Sequence, residues 1–409
     1  MIDPEWQDAR RLLLVRLDNL GDVLVTTPAF RAVRHSLPEV RLTLLCSPVG
    51  AQVGRLNRDI DEVMEYEAPW MDPWSQLAQD PSREQALIRH IAAGRFDGAI
   101  IFTSFRQSSL PAAYMCYLAG IPHRAAASVD GSGSLLTTRI KHQSDSSGSF
   151  PHEVQRSLDL VGALGMTTDD LSLELHVSPE VQAYADDLVA SVRAQEAPVV
   201  VVHPGCSMPA RTYAWEGYAD ICRGLVRNLG ARVLLTGSAA ERDLVARVQD
   251  RSGLSEDKAR SLAGDLSIEL LAGIIGASDL IVTNNTGPAH IAAAVGTPVL
   301  TLFALTNPPD QWAPWQVPYR QLFHDVPCRT CYSRICPFSH ECLALVSPNQ
   351  VVEAAASLLS ALGQGVTVTR RADDSVAGSS EISAGPAYSF QSRDTHVSAT
   401  AYQPRGARA

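Results

Sequence analysis

Short apolar runs that end in polar turns alternate along the chain with longer stretches of helical periodicity. In the clearest case, Leu280–Val282 is an apolar, β-branched run of the kind that forms a buried strand. A polar turn at 284–288 ends that strand, and Ala289–Val295 predicts a helix of small side chains, with a glycine at its end. Pro298–Phe303 predicts the next strand. The stretch is therefore a strand–turn–helix–strand unit.

The chain opens with the same unit: Arg11–Leu17 predicts a buried strand, and the turn at 18–22 leads into a helix at Val23–Leu37. Ser128–Ser149 is rich in Gly and Ser and predicts a long loop. Further strands are predicted at Arg41–Cys46, Glu62–Tyr66, Gly98–Thr103, Pro122–Ala127, Pro198–His203 and Arg232–Thr236. Further helices are predicted at 82–93, Arg106–Leu118, Pro151–Leu164, Glu180–Ala194, Tyr218–Leu229, Ala240–Val248, Ile268–Ala277 and Pro348–Leu362.

This alternation predicts an α/β protein with two Rossmann-like domains that face each other across a cleft, where open parallel sheets bind their ligands. We expect an N-terminal domain over 1–175, a linker and helix over 176–197, and a C-terminal domain over 198–347. A final helix over 348–365 follows. Residues 366–409 have few apolar positions and predict a disordered tail.

Composition narrows the possible partners. The formal charge is −10, from 34 basic and 44 acidic residues, which argues against a nucleic-acid partner because phosphates need a basic face. No run of eighteen apolar residues exists, and the N-terminus is too polar for a signal peptide, so we expect a cytoplasmic protein.

The turn at 284–288 is a candidate anion site. Free N–H groups at a helix start, placed at the carboxyl end of a parallel strand, favour phosphate. Thr286 is a candidate N-cap, and His290, one turn inside the helix, can add a donor. The alternative is a plain β–α turn with a core histidine.

Four of the eight cysteines cluster near the end of the second half, with gaps of two, four and five residues: Cys328, Cys331, Cys336 and Cys342. Four thiolates within fifteen residues can reach one tetrahedral ion, so a structural metal site is one interpretation. Reduced thiols on a compact loop, or disulfides, are the alternatives.

Four stretches together resemble glycosyltransferase family 9, the heptosyltransferases that transfer heptose from ADP-heptose to the lipopolysaccharide inner core. They are VRLDNLGDVLVTTPAFRAVR at 15–34, VVVHPGCSMPARTYAWEGYADI at 200–221, the segment 262–303, and CRTCYSRICPFSHECLALVSP at 328–348. The segment 262–303 contains the strand–turn–helix–strand unit at 280–303. The resemblance implies a GT-B fold with the nucleotide-sugar donor on the C-terminal domain, the acceptor on the N-terminal domain, and a last helix that crosses back. It also implies an inverting transfer that needs no metal cofactor, on a lipid-linked acceptor at the inner face of the cytoplasmic membrane.

The resemblance also assigns candidate site residues. Asp22 matches the general base, although Asp is also a favoured N-cap for the helix that follows. Asp18 and Gly21 belong to the same turn, on the acceptor side. Arg211 stands where relatives carry a lysine that holds the donor phosphates; a solvated surface arginine is the alternative. The remaining donor-site candidates are Ser207, Leu266, Asn285, Thr286, Gly287 and His290.

Two of these positions carry a qualification. Asn285 replaces the aspartate that is usual before Thr-Gly in the family, so the sugar hydroxyls would meet an amide in place of a charge. Leu266 matches a position that packs on the nucleotide base, but a leucine at helical spacing is also ordinary core.

Two other functions remain open from the residues alone. A GT-B epimerase or phosphorylase shares the fold, but a phosphorylase needs a cofactor lysine, and Lys141 and Lys258 are the only lysines in the chain. A non-catalytic sugar-nucleotide-binding protein is the other alternative, because the aspartate expected at 285 is absent.

Overall fold

Two parallel six-stranded sheets, flanked by helices, organise the part of the chain that the computed structural model describes, which is residues 1–72, 74–141, 151–195, 197–264 and 266–363. The strands of the first sheet are β1 (Arg11–Arg16), β2 (Arg41–Cys46), β3 (Glu62–Glu65), β4 (Gly98–Ile101), β5 (His123–Ala127) and β6 (Thr138–Ile140). Its helices are α1 (Leu20–Ser36), α2 (Pro48–Gly54), α3 (Pro81–Ala93), α4 (Leu110–Leu118) and α5 (Glu153–Gly162).

The second half repeats this plan. Its strands are β7 (Val199–His203), β8 (Arg232–Leu235), β9 (Ala259–Ser261), β10 (Leu280–Asn284), β11 (Val299–Leu302) and β12 (Tyr319–Leu322). Its helices are α6 (Pro179–Val192), α7 (Trp215–Leu229), α8 (Arg242–Ser252), α9 (Ile268–Ala277), α10 (Gly287–Ala294), α11 (Glu341–Ala344) and α12 (Pro348–Gly363). Short 3-10 turns lie at Pro69–Met71, Pro209–Arg211, Ala239–Glu241 and Pro309–Trp312.

Both sheets have the doubly wound strand order. The first runs β3-β2-β1-β4-β5-β6, and the second, read from its other edge, runs β9-β8-β7-β10-β11-β12. In each sheet the chain therefore adds strands toward one edge and then toward the other. The order switches between β1 and β4 in the first half and between β7 and β10 in the second. Ligands bind at the carboxyl ends of the strands at such a point. The α/β prediction with two Rossmann-like sheets is confirmed.

Several predicted boundaries were wrong. The loop at 128–149 contains the edge strand β6, and the predicted helix from 106 begins only at Leu110, since Arg106 has a positive φ of 70°. Helix α1 begins at Leu20, three residues earlier than predicted. The elements α2, β9 and β12 were not predicted. Residues 142–150 and the predicted disordered tail, 366–409, lie outside the described ranges.

One apolar core runs through both halves, from the β1–α1 unit into α9 and α10. Helix α1 meets α10 across this contact: a Cβ on Gly21 would lie 2.7 Å from His290 Cδ2, and one on Gly287 would lie 3.1 Å from Leu20 Cδ2. The starts of these two helices follow β1 and β10, so the contact brings the carboxyl ends of both sheets together.

The last helix packs on the second half. Val351, Val352, Ala355 and Leu358 are buried in the core of that half, and a Cβ on Gly224 of α7 would lie 2.6 Å from Val352 Cγ2. Helix α12 thus buries its apolar face against α7, and the crossing back that the resemblance implies stays a prediction.

Candidate active site

A buried charged cluster closes the carboxyl end of β1. Nη2 of Arg16 lies 3.4 Å from Asp18 Oδ2 and 3.3 Å from Asp22 Oδ1. The same Nη2 donates to Ser104 Oγ at 2.9 Å, and that oxygen lies 2.6 Å from Asp18 Oδ2 and 2.8 Å from Asp22 Oδ1. The side chain of Asp18 is only 3% exposed, and that of Asp22 is 13% exposed. Asp22 is therefore the carboxylate of this pair that a ligand can reach.

Asp22 also takes part in the start of α1. Asn19 is the N-cap, Asp22 is the third helical residue, and Asp22 Oδ2 accepts a hydrogen bond from the Asn19 N–H at 3.0 Å. The alternative that Asp22 is the N-cap does not hold, because the helix begins earlier and Asn19 occupies that position. The reciprocal cap holds the carboxylate in the first turn of α1.

Burial perturbs the carboxyl groups behind Asp22. The pKa of Asp18 is raised to about 6, chiefly by burial, with Arg16 opposing and the neighbouring Asp22 adding to the rise. The pKa of Glu153 on α5 is raised to about 7, again by burial, although Arg156 Nε lies 3.2 Å from its Oε1. Desolvation thus outweighs the attraction of the nearby guanidinium groups, and a proton is held close to the site near neutral pH.

Unpaired donors gather at the start of α10. Asn285 is 3% exposed and His290 is 4% exposed, yet Asn285 Nδ2 and His290 Nδ1 are buried without a hydrogen-bond partner among the described residues. Thr286 is the N-cap residue as predicted, but its side chain makes no capping bond. Buried polar atoms are nearly always paired, so such atoms beside free helix N–H groups indicate a ligand site.

Asn284 fixes this turn against the loop that follows β7. Its Nδ2 donates to the carbonyl oxygens of Pro204 and Gly205 at 2.9 and 3.2 Å, and its Oδ1 accepts the N–H of Tyr213 at 3.0 Å. The loop that carries Arg211 is thereby held beside the start of α10.

The guanidinium of Arg211 is placed by side chains and is not freely solvated. Nε donates to Thr306 Oγ1 at 3.1 Å, and Nη2 donates to Asn307 Oδ1 at 3.0 Å. Burial lowers the pKa of Arg211, while Cys206 and Asp22 raise it. The half-buried position excludes the alternative of a solvated surface arginine.

The pKa of His290 connects the two halves of the site. Burial lowers that pKa to about 4, with Asp22 raising it and Arg211 lowering it. The imidazole is therefore neutral at pH 7. The opposing effects of Asp22 and Arg211 also show that the structure brings these three predicted residues together.

Two other predicted residues lie differently. Ser207 is exposed in the loop between β7 and the turn at Pro209–Arg211. Leu266 is half-buried and packs against the apolar core that α9 and α10 share, which is the ordinary core role that the sequence left open.

The segment at 328–342, which contains the four clustered cysteines, is hydrogen-bonded to the backbone next to Arg211 and next to its partner Thr306. Ala210 N–H donates to the carbonyl oxygen of Arg334 at 3.0 Å, and the N–H groups of Cys331 and Tyr332 donate to the carbonyl oxygens of Leu305 and Thr306 at 3.2 and 3.0 Å. The four cysteines Cys328, Cys331, Cys336 and Cys342 line one small cavity with Ala210 and Thr306.

All four of these cysteines are free thiols. Burial and the other three cysteines raise the pKa of Cys342, which favours the neutral thiol. Within the described ranges no group of three or more His, Cys, Asp or Glu side chains is placed to hold a metal ion. The part of the chain that the structure describes therefore gives the structural metal interpretation no support.

Sequence reasoning missed four polar residues of the site: Arg16, Ser104, Thr306 and Asn307. The sequence carried one local signal, which is Arg16 inside the run RLLLVRL that predicts a buried strand. A charged side chain is rarely buried unless it is paired with another group. Ser104 follows β4, 82 residues after Asp22, and is joined to it only by the pairing of β1 with β4.

No helix in the described part of the chain is long and apolar enough to span a bilayer.

The family comparison covers most of this architecture. The sequence model described as glycosyltransferase family 9 (heptosyltransferase) matches residues 85–341. Lipopolysaccharide heptosyltransferase 2 of Escherichia coli K12 is 23% identical over 313 residues, which are 73% of this chain and 84% of the relative. The protein of the same name from Salmonella typhimurium LT2 is 24% identical over 372 residues, 86% of this chain and 99% of the relative.

Solved structures agree on the fold. A family 9 glycosyltransferase from Veillonella parvula superposes with a TM-score of 0.67 at 20% identity, over 87% of this chain and 98% of the other. E. coli ADP-heptose lipopolysaccharide heptosyltransferase II superposes with a TM-score of 0.65 at 20% identity, over 87% and 100%. The fold is GT-B. The family model matches more than half of the 409 residues of this chain, so the chain belongs to glycosyltransferase family 9 (heptosyltransferase) and is a glycosyltransferase.

Proposed function

We propose that this protein transfers heptose from ADP-heptose to a lipopolysaccharide inner-core or similar lipid-linked acceptor, with inversion and without a metal cofactor. The observation that carries the proposal is the placement of the Asp22 carboxylate opposite Arg211 and the unpaired donors of α10, across the contact of α1 with α10. The names of the E. coli and Salmonella relatives supply the substrate class.

Asp22 is the proposed general base. In an inverting displacement the acceptor oxygen attacks the anomeric carbon while its proton passes to a carboxylate, and the bond from that carbon to the diphosphate breaks on the opposite side. Asp22 suits this role because it is the more exposed carboxylate of the pair and stands at the carboxyl end of β1. Acceptor binding is accordingly assigned to the N-terminal half, with Asp18 and Gly21 in the same turn.

The opposite wall is the proposed donor site. Arg211 brings a fixed positive charge whose planar fork suits two phosphate oxygens, while the N–H groups of Thr286 and Gly287, at the start of α10, add neutral donors. His290 and Asn285 each have a buried nitrogen atom that a ligand oxygen would satisfy. Such donors stabilise the charge that develops on the departing ADP, the role that a divalent ion fills in metal-dependent transferases.

The two buried nitrogen atoms also imply that the halves move. Both atoms are buried in the structure, and Gly21 of α1 packs against His290, so we propose that a nucleotide sugar reaches them when the halves separate. We therefore expect donor binding to open the α1–α10 contact and closure to bring Asp22 back toward the anomeric carbon.

The direct test is transfer by the purified protein. We would incubate it with ADP-heptose and a deacylated inner-core acceptor and follow the product by mass spectrometry, with the anomeric configuration assigned by NMR. A panel of other nucleotide sugars, screened by protection against thermal unfolding, tests the donor, and addition of EDTA tests metal independence. Binding of ADP-heptose without transfer to any acceptor would favour the non-catalytic alternative, and epimerisation of the donor would favour the epimerase.

A further inference from the structure

The Ser104 hydroxyl has three partners and one proton. It accepts from Arg16 Nη2 at 2.9 Å, and it stands 2.6 Å from Asp18 Oδ2 and 2.8 Å from Asp22 Oδ1. A hydroxyl can donate to only one acceptor. With both carboxyl groups ionised, one of these two short oxygen–oxygen contacts has no hydrogen in it.

One additional proton removes this conflict. If either carboxyl group is protonated, it donates to Ser104 Oγ while Ser104 donates to the other, and all contacts of the oxygen are satisfied. Arg16 cannot relieve the conflict alone, since Nη2 lies almost equally far from Asp18 and Asp22, at 3.4 and 3.3 Å. One positive charge is therefore divided between two carboxyl groups that jointly favour a single proton.

We propose that Asp18 is a positioning residue that shares one proton with Asp22 through Ser104 and so raises the proton affinity of the base that faces the acceptor. Two carboxyl groups this close titrate as a pair, and ionisation of one opposes ionisation of the other. Beside Arg16 alone, Asp22 would be a weaker base. The inference deepens the role proposed above for Asp22, and its bearing on the rate rests on that function.

The surroundings of the pair agree with this assignment. The raised pKa of Asp18, due to burial and to Asp22, is what a shared proton predicts. The charged and titratable groups that face the pair come from four other elements, and their members are Arg16 of β1, Glu153 and Arg156 of α5, Arg211 of the turn at 209–211, and His290 of α10. Among the charged groups of the described residues, only Arg16 is paired with both carboxyl groups, which makes its division between them the controlling charge interaction.

The rate test is the pH dependence of kcat/KM for transfer by the Asp18→Asn variant. Removal of the negative charge at 18 leaves Asp22 as the only carboxylate paired with Arg16. The fall of kcat/KM on the acidic side of the profile, the acidic limb, should therefore move down by about one pH unit. The pH-independent plateau of kcat/KM should fall by roughly threefold, because a weaker base is less efficient. Ser104→Ala removes a donor to the ionised pair, so its limb should move up. Asp250→Asn, an exposed aspartate on α8, is the control for charge and should leave the limb in place.

A second measurement does not depend on activity. Infrared titration of the full-length protein, as the difference between wild type and Asp18→Asn, isolates the carbonyl stretch of the protonated Asp18 side chain. In an Asp22→Asn background the midpoint of that band should move down, since the coupling of two sites is reciprocal. If the variant at 18 does not fold, the same band in Ser104→Ala, taken against wild type, still reports the coupling.

The outcomes separate the two proposals. If the wild type shows no transfer but the infrared midpoint of Asp18 moves down in Asp22→Asn, the proposed function is overturned and the shared proton stands. Transfer by the wild type with an unmoved acidic limb in Asp18→Asn, and an unmoved infrared midpoint in Asp22→Asn, overturns the inference. A raised KM for the acceptor with an unmoved limb also overturns it, because Asp18 would then be an acceptor-binding residue.

Discussion

Replacement of Asp22 by asparagine changes the chemistry of the site and little of its shape. The amide oxygen of Asp22→Asn can still accept the N–H of Asn19, so the reciprocal cap of α1 survives. The change affects Asp22 Oδ1, which lies 3.3 Å from Arg16 Nη2 and 2.8 Å from Ser104 Oγ. In the variant this carboxylate oxygen is replaced by an amide NH₂ group or by a neutral amide oxygen. The variant therefore loses the proposed proton acceptor and one ionised partner of Arg16.

The expected effects differ strongly between rate and stability. Loss of a general base costs about 10²–10⁴ in rate, which corresponds to roughly 3–5 kcal/mol in the barrier. Arg16 keeps Asp18 at 3.4 Å and Ser104 at 2.9 Å, so the buried guanidinium is not left alone. We expect a loss of about 1.5–3 kcal/mol in the free energy of unfolding, as for one hydrogen bond to a charged group.

Donor binding provides the internal control. Asp22 raises the pKa of Arg211, so its negative charge is felt at the proposed phosphate site. Removal of that charge should leave the affinity for the nucleotide sugar unchanged or slightly stronger. Calorimetric titration with ADP and steady-state transfer assays, run in parallel on wild type, Asp22→Asn and the control Asp250→Asn, separate the two effects.

A single result would refute the assignment. If Asp22→Asn retains more than about a tenth of the wild-type kcat, the proton has another acceptor, because loss of a general base costs at least about a hundredfold. Asp22 would then serve only to cap α1 and to pair with Arg16, and Asp18 would be the first carboxylate to test.

Three further predictions follow from the opposite wall and from the contact between the halves. Arg211→Ala should lower kcat/KM by an amount equal to about 2–4 kcal/mol, and Arg211→Lys should recover part of it; wild-type kinetics in Arg211→Ala would assign the guanidinium to Thr306 and Asn307 alone. Gly21→Ala should weaken the closed contact by about 1–3 kcal/mol, since its Cβ would lie 2.7 Å from His290 Cδ2, and a transfer rate equal to wild type would show that the contact is not used in turnover. Because the pKa of His290 is lowered to about 4, donor affinity should show no histidine step between pH 5.5 and 8; tightening as the pH falls through about 6.5 would mean a cationic imidazole.

Elements with a strong local signal were predictable from the sequence. Helix α9 was predicted at its observed bounds, because Ser267 caps it and apolar residues continue to Ala277. The short edge strands β6 and β9 have three residues each and no apolar alternation, so only their pairing with β5 and β8 makes them strands. Helix α4 begins late since the positive φ of Arg106 interrupts the chain before it, which composition does not reveal.

The candidate site divides in the same way. Asp22 and the turn at 285–287 stand next to glycines in the turns that follow β1 and β10, and Arg211 lies in the proline-containing loop after β7; such local chemistry is visible in the sequence. Ser104 and Asn307 are ordinary loop residues whose relevance depends on contacts across 82 and 96 positions of the chain. Long-range contacts of this kind have no periodicity to detect.

The position of a carboxylate and its behaviour as a base are fixed at different levels of the structure. The sequence places Asp22 at the end of a strand, and the first turn of α1 holds it there. In the proposed mechanism, the proton affinity of Asp22 depends on the single charge of Arg16, which Asp18 shares, and on the hydroxyl of Ser104, which follows β4. A substitution at 18 or at 104 should therefore change the proton affinity of the proposed base, while a substitution of Asp22 itself removes that base. The two classes of variant should separate by the pH of the acidic limb, which moves in the first class and disappears in the second.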